Sequence, residues 1–267
     1  MTAADWPWQS WQQTLNLTVD DSPHCKLPIK KPYRALVACT SFELLLTTAA
    51  TPMTRSTRRA ALLAASDALK LSLSPPTQDA LLAYLDLIAK WNKVYNLTAV
   101  RDPAEMMTHH LLDSMAVIAP LTQRVPRGTL LDVGSGAGLP GAVIAICCPT
   151  IHVTCVDAVA KKATFIKQVA LELRLPNLVG LHGRIETIEQ PFDVICSRAF
   201  ASLLDFTQGS ASALSQSGLW MAMKGKLPTD ELAALPASID VFHVEQLKVP
   251  GLDAARCLVW MQKKPLS

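Results

Sequence analysis

The chain has 267 residues, half of them apolar, which is enough for one large domain or one domain with an appendage. No apolar run reaches the ~20 residues that span a bilayer, and a net charge of +3 permits an RNA partner without demanding one. Seven cysteines without a Cys-x-x-Cys, and six histidines without metal spacing, speak against a disulfide framework or a zinc site and for a reducing, cytoplasmic compartment.

Residues 1–52 differ from the rest of the chain. Trp6, Trp8 and Trp11 crowd the start, and Pro7, Pro23, Pro28, Pro32 and Pro52 punctuate a stretch with no sustained period. Lys30, Lys31 and Arg34 ahead of Ala35 to Ala50 imitate a signal peptide, but the run lies too far in and Glu43 interrupts it. The segment reads as a poorly structured extension, or as residues upstream of a true start at Met53.

Residues 53–120 read as a helical segment. Leu62, Ala65, Leu69 and Leu73 recur at helical spacing. Ser74 followed by Pro75 opens a second helix with Leu81, Leu85, Ile88 and Trp91 on one face. Asn96-Leu97-Thr98 breaks it, and Asp102-Pro103-Ala104-Glu105 reads as a capping box starting a third helix through His109, Leu112 and Met115 to Ala119. Arg55, Arg58 and Arg59 are either a phosphate-contacting cluster or exposed helix charges.

Residues 121–267 alternate strand and helix. Strands are expected at Thr129–Val133, Ile151–Asp157, Leu178–His182, Phe192–Ser197 and Gly218–Lys224, with helices at Ala160–Leu173 and Leu203–Leu214. Ile239–Val249 and Cys257–Lys263 read as a terminal pair. Apolar strands alternating with helices give an α/β fold, a mostly parallel sheet covered on both faces. The terminal pair suits one antiparallel strand, as in the seven-stranded, Rossmann-like class I methyltransferase sheet.

The first strand runs into Asp132-Val133-Gly134-Ser135-Gly136-Ala137-Gly138-Leu139-Pro140-Gly141, a strand, glycine loop and helix. Such a loop lets a ligand lie against the backbone beside the unpaired N–H groups of a helix start. Gly136 to Gly141 also fits the dinucleotide fingerprint, so an NAD(P)-dependent oxidoreductase competes with a methyltransferase. Asp132 favours the latter, because it would repel a pyrophosphate and suits the sulfonium and ammonium of S-adenosyl-L-methionine. Ligands of an open parallel sheet bind at the carboxyl ends of the strands. Asp157, at the end of the second strand, is placed to accept ribose hydroxyls or to cap the next helix. After the third strand comes Gly183-Arg184-Ile185-Glu186, which is either a surface loop or a place where an apolar side chain covers an adenine ring and an acid takes its amino group. Arg198, following the fourth strand, needs an anion: a cofactor carboxylate, an RNA phosphate or a structural ion pair.

The fourth strand carries no Asn-Pro-Pro-Tyr-like stretch and no cysteine after proline, and Cys196 reads as core. An acceptor that needs no general base remains, such as guanine N7, and catalysis by proximity and alignment.

Trp91-Asn92-Lys93-Val94-Tyr95-Asn96-Leu97-Thr98, Arg101-Asp102-Pro103, His110-Leu111-Leu112-Asp113-Ser114, the glycine loop and Ser197-Arg198-Ala199-Phe200-Ala201, in that order, closely resemble the RsmG (GidB) family. Those proteins are bacterial small-subunit ribosomal RNA methyltransferases that modify guanine N7 with S-adenosyl-L-methionine. The similarity runs from about Arg58 to Lys264 and leaves out the first fifty-odd residues. It implies that Gly134 and Leu139 border the cofactor, that Ile185 and Glu186 contact its adenosine end, and that Arg198 belongs to the same site. The partner implied is small-subunit rRNA or the ribosomal subunit, with no membrane and a monomeric protein expected. Asn92, Asn96, Arg101, His109, His110 and Arg198 are the candidates for holding the guanine. A methyltransferase fold that only binds RNA, without catalysis, is a further alternative.

Overall fold

Helix α1 (Arg55–Ala68) starts where the Thr54 side chain accepts the Thr57 N–H, and α2 (Pro75–Tyr95) where Ser74 accepts the Thr77 N–H with proline in the first turn. These are the first elements of a computed structural model that describes residues 54–198, 200 and 202–264. The readings of residues 1–52, and of Met53 as a start, lie outside them. Leu62 and Ala65 of α1 and Leu81, Leu85 and Ile88 of α2 are buried, as their spacing predicts. On the polar side Arg55 and Arg59 pair with Asp79, and Arg58 pairs with Asp86 at 2.6 Å. These three arginines are therefore engaged with α2, which favours the helix-charge reading over phosphate contact.

Beyond Asn96, which closes α2 in the left-handed conformation with φ 49°, the expected third helix is split. Asp102 caps α3 (Pro103–Met106) by accepting the Ala104 N–H at 2.7 Å. A π-helical turn (Met107–Leu112) and α4 (Asp113–Met115) come next, and α5 (Ile118–Arg124) starts afresh. Pro120 explains the restart: it has no N–H to give and its ring clashes with the carbonyl four residues back, so it is tolerated only in a first turn.

The sheet comprises β1 (Gly128–Val133), β2 (Ile151–Asp157), β3 (Leu178–His182), β4 (Phe192–Arg198), β5 (Leu214–Lys224), β6 (Ile239–Leu247) and β7 (Arg256–Lys263). Its order is β3-β2-β1-β4-β5-β7-β6, with β1 to β5 parallel and β7 antiparallel to both its neighbours. Alternate strand residues feed two cores. Leu130, Val153, Val194 and Trp260 face α1, α2, α6 (Gly141–Cys147) and α7 (Ala160–Glu172). Leu131, Ile195, Trp220 and Met261 face α8 (Leu203–Ser210) on the other side. The helices before the sheet thus share a core with it.

Two differences from expectation have local causes. Strand β5 begins at Leu214, four residues early, because Leu214 pairs with Phe192 across a register shift. Gly218 sits at that irregularity, where a Cβ would come within 2.9 Å of the Phe192 carbonyl oxygen. The short α9 (Thr229–Ala233), with no buried residue, has no apolar period to betray it. Among the described residues no helix is long and apolar enough to cross a membrane.

Tyr84 joins α2 to the glycine loop. Its buried hydroxyl, kept protonated by burial, donates to the Ala137 carbonyl at 2.6 Å, with the Gly138 carbonyl 3.2 Å away. Tyr84→Phe is expected to cost about 1 kcal/mol in urea unfolding and to weaken binding of S-adenosylhomocysteine. An unchanged midpoint and affinity would show that the bond does not hold the loop.

Candidate functional site

The loop between β1 and α6 has one open side and one packed side. Gly134 has φ +66° and a Cβ there would meet nothing within 4 Å; Gly138 has φ +88° and its Cβ would lie 3.2 Å from the Ala142 methyl and 3.3 Å from the Tyr84 hydroxyl. The positive φ values are glycine's province, and the open side is where a ligand can approach the backbone.

Two buried aspartates hold the loop. Asp132 accepts the Gly141 N–H at 2.8 Å, while its other oxygen has no partner. Burial raises its carboxyl to about 7, against the opposing pull of the Gly141 bond and the Arg198 charge. This corrects the role inferred for Asp132: it is directed at the start of α6 and does not line the cavity, so it acts on a cationic ligand at most through the loop. Asp157 accepts the Gly136 N–H at 2.9 Å and the Val159 N–H at 2.8 Å, with Lys162 Nζ 3.7 Å away. It thus pins the loop and the start of α7.

A cavity of about 490 Å³ opens beside the loop at the carboxyl ends of β1, β4 and β5. Gly134, Leu139 and Arg198 come together on its wall, as do Ser135, Gly136, His109 and His110. Asp157, Ile185 and Glu186 form a second group, joined to the first through the Asp157–Gly136 bond and to one another through the Gly183 N–H, which donates to the Asp157 carbonyl at 3.2 Å. Ile185 is buried on a 3₁₀ turn, and Glu186 is exposed beside Gly209.

The guanine candidates separate in the same way. Asn92 is buried and structural: its amide donates to the Val100 carbonyl at 3.1 Å and its oxygen accepts the Thr98 N–H at 2.9 Å. Asn96 accepts from Arg101 at 3.0 Å, and neither lines the cavity. His109 and His110 do. Burial and the nearby Arg198 cation lower His110 to about 4, so it is neutral at pH 7; its Nε2 lies 2.9 Å from Thr98 Oγ1.

Sequence reasoning missed Asp113, Lys224 and Arg256 as cavity residues. Asp113 is buried and takes Arg198 at 3.2 Å on one oxygen and Arg256 at 2.9 Å on the other. Arg198 also donates to the His109 carbonyl at 2.8 Å. The structural ion pair is thus realised at Arg198. Arg256 carried the same signal as Arg198, an arginine beside a buried apolar strand. Cys155 and Cys196 are buried thiols pushed well above the ordinary range, so Cys196 is a core residue. Among the described residues no cluster of three or more His, Cys, Asp or Glu side chains suits a metal ion.

A family profile described as GidB: rRNA small subunit methyltransferase G matches residues 77–259. The chain belongs to this family. A protein from Polaromonas sp. (strain JS666 / ATCC BAA-500) named Ribosomal RNA small subunit methyltransferase G is 66% identical over 203 residues, which is 74% of this chain and 90% of that protein. A protein of the same name from Polaromonas naphthalenivorans (strain CJ2) is 64% identical over 215 residues, covering 78% of this chain and 97% of the relative. Among solved structures, TrmN from Thermus thermophilus is 17% identical with a TM-score of 0.48, covering 59% of this chain and 53% of that one. Membership of a methyltransferase family removes the oxidoreductase reading of the glycine loop.

Asp132 also sets a pH dependence. Its carboxyl titrates at about 7 in the folded protein and near 3.8 unfolded, so between these values the folded state holds the extra proton. Stability is therefore expected to fall as pH rises through that window, by up to ~1.4 kcal/mol per pH unit from this group. Asp132→Asn, measured by denaturant titration across the window, should flatten the slope; an unaltered slope would refute the assignment. Gly134→Arg should abolish binding of S-adenosylhomocysteine in calorimetry, because its side chain enters the open side of the loop. Wild-type affinity would exclude this loop as the cofactor site.

Proposed function

We propose that this chain transfers the methyl group of S-adenosyl-L-methionine to N7 of a guanine in small-subunit ribosomal RNA. The observation that carries the reading is one cavity that joins the open side of the glycine loop at Gly134 to the arginine at the end of β4. The residues present fit the cofactor. Ser135 Oγ is buried without a partner on a residue of the cavity wall, and the space beside Gly134 is free. Gly134, Leu139 and Arg198 would border the methionine end. Asp157 would take the ribose, since a carboxylate has lone pairs beyond those its two backbone bonds use. Ile185 would cover the adenine and Glu186 would bind its amino group. Residues 53–120 serve as the helical segment and 121–267 as the methyltransferase domain, in a cytoplasmic monomer that works without a membrane.

When bound, the cofactor supplies an electrophilic methyl carbon on a sulfonium. Guanine N7 offers a lone pair and carries no proton, so the chain has only to position, desolvate and align. That suits a wall where His110 is neutral and the nearby thiols stay protonated. The cofactor would supply its methyl carbon to the N7 lone pair and leave as a neutral thioether, with the positive charge left on the base, while Gly134, Leu139 and Arg198 would hold its methionine end. Two arginines on one carboxylate leave a surplus of positive charge, which suits the cofactor carboxylate or an RNA phosphate.

The test is a methyl-transfer assay with radiolabelled cofactor on small ribosomal subunits from a strain lacking the endogenous enzyme. Label recovered as 7-methylguanosine in the small-subunit RNA is the expected result. Label in another nucleoside would move the acceptor atom, and none, with cofactor binding intact, would reject this substrate.

A further inference from the structure

The carboxyl end of α2 carries a surface that the cavity does not use. Val94 is 71% exposed and Tyr95 41%, on a helix whose other large apolar residues are mostly buried. Both lie on the helix face of Trp91, whose ring packs at a tilt against Tyr95 at 5.1 Å between ring centroids and against Phe165 of α7 at 5.4 Å. The result is a row of three aromatic rings with its outer ring exposed. Core packing accounts for Phe165, which is fully buried, and for Trp91, which packs half-buried against the core, but it leaves the exposure of Tyr95 and Val94 unexplained.

Cations lie beside its exposed end. Lys90 lies one turn before Val94 and is exposed. The Arg101 guanidinium bonds the side chain of Asn96, the residue after Tyr95, at 3.0 Å. The loop that follows Tyr95 reaches the cavity, where Leu97, Thr98 and Val100 line the wall. Asn92 fixes that path by bonding Thr98 and Val100. One loop therefore links the exposed ring to the wall where the acceptor is expected.

We propose that Tyr95, backed by Trp91 and flanked by Val94, Arg101 and Lys90, is a stacking platform for an unpaired RNA base next to the target nucleotide. The inference rests on the reading of this protein as an rRNA methyltransferase. The occupant is RNA because the patch combines an exposed π face with the neighbouring Lys90 and Arg101 cations. A base stacks on the ring whatever its sequence, while phosphates take the charges. An apolar protein partner would have no use for the cations, and a second copy of this chain would bring the same positive patch against itself.

The experiment compares full-length wild type with Tyr95→Ala, Tyr95→Phe and Val94→Asp. The readouts are filter binding of single-stranded small-subunit rRNA fragments over a salt series, calorimetry with S-adenosylhomocysteine, and methylation of small subunits. Tyr95→Ala should weaken RNA binding and lower kcat/KM by roughly 5- to 150-fold, the range for one lost base–aromatic stack. Tyr95→Phe should stay close to wild type, since it keeps the ring. Val94→Asp, at an exposed position where folding is not at stake, should weaken RNA binding through phosphate repulsion. Arg101→Ala and Lys90→Ala should each reduce the salt slope by about one. Cofactor affinity should be unchanged in Tyr95→Ala and Val94→Asp. RNA binding equal to wild type in both would overturn the platform and leave methylation in place. A parallel loss of cofactor affinity would overturn it too, by showing a general disturbance of the loop. If wild type binds RNA but transfers no label, the reading of function falls, and the binding comparison still decides the platform.

Discussion

A carboxylate almost wholly removed from water keeps its charge only when it is compensated. Asp113 is compensated twice, by Arg198 at the end of β4 and Arg256 at the start of β7. Three parts of the chain that are remote in sequence meet on its two oxygens. Without the carboxylate two guanidiniums would face one another on one cavity wall, and the turn of helix that carries His109 and His110 would lose its charged tie to the sheet. Burial, helped by the Arg198 cation, keeps His110 neutral, so that side chain can offer a hydrogen bond without adding a third positive charge. One ion pair network thus ties together one wall of the cavity and sets much of its charge.

The glycine loop is held by a different kind of tie. Asp132 and Asp157 end adjacent parallel strands, and each directs a carboxylate oxygen at a backbone N–H of the loop or of the helix it opens into. A loop with three residues at positive φ has little stiffness of its own. Bonds at Gly136 and Gly141, with Tyr84 on the carbonyls between them, supply it from outside. Asp132 carries a cost in this arrangement, since one oxygen is buried without a partner and its proton is held to about neutral pH. Close packing around Gly141, where a Cβ would sit 2.5 Å from Cys155 Sγ and 2.8 Å from Asp132 Oδ2, leaves no room to relieve it.

What was legible in the sequence was local. Five strands, the glycine loop and the caps at Ser74 and Asp102 each declare themselves within about ten residues, through period, glycine spacing or a capping side chain. The terminal strand pair and the sheet it joins followed from the same patterning. The third helix was misjudged because its apolar period continues through the π-helical turn, and the restart before Pro120 depends on a backbone clash that periodicity does not register. At the site, Gly134, Leu139 and Arg198 were readable because motif residues and strand ends fall together there. Asp113 and Arg256 lie 143 residues apart, and nothing in either neighbourhood announces the other. Asn92 was readable as a motif residue but not as a brace, because its partners become visible only once the loop after α2 is folded.

This division has a functional meaning. The side of the cavity built by the glycine loop comes from contiguous strand, loop and helix, the part of the fold that many unrelated chemistries can reuse. The opposite side comes from Thr98, His109, His110 and Asp113 of the segment before the sheet and from Arg256 of the last strand. That segment is no appendage, since its Leu62, Leu81, Ile88 and Leu111 share one core with Leu130, Val194 and Trp260 of the sheet. The helices in front of the sheet therefore supply part of the cavity wall, and they can do so at fixed geometry only because they are packed into the same core as the strands that carry the loop. The shared core and the Asp113 network couple these elements, which the sheet fold does not dictate, to those it does.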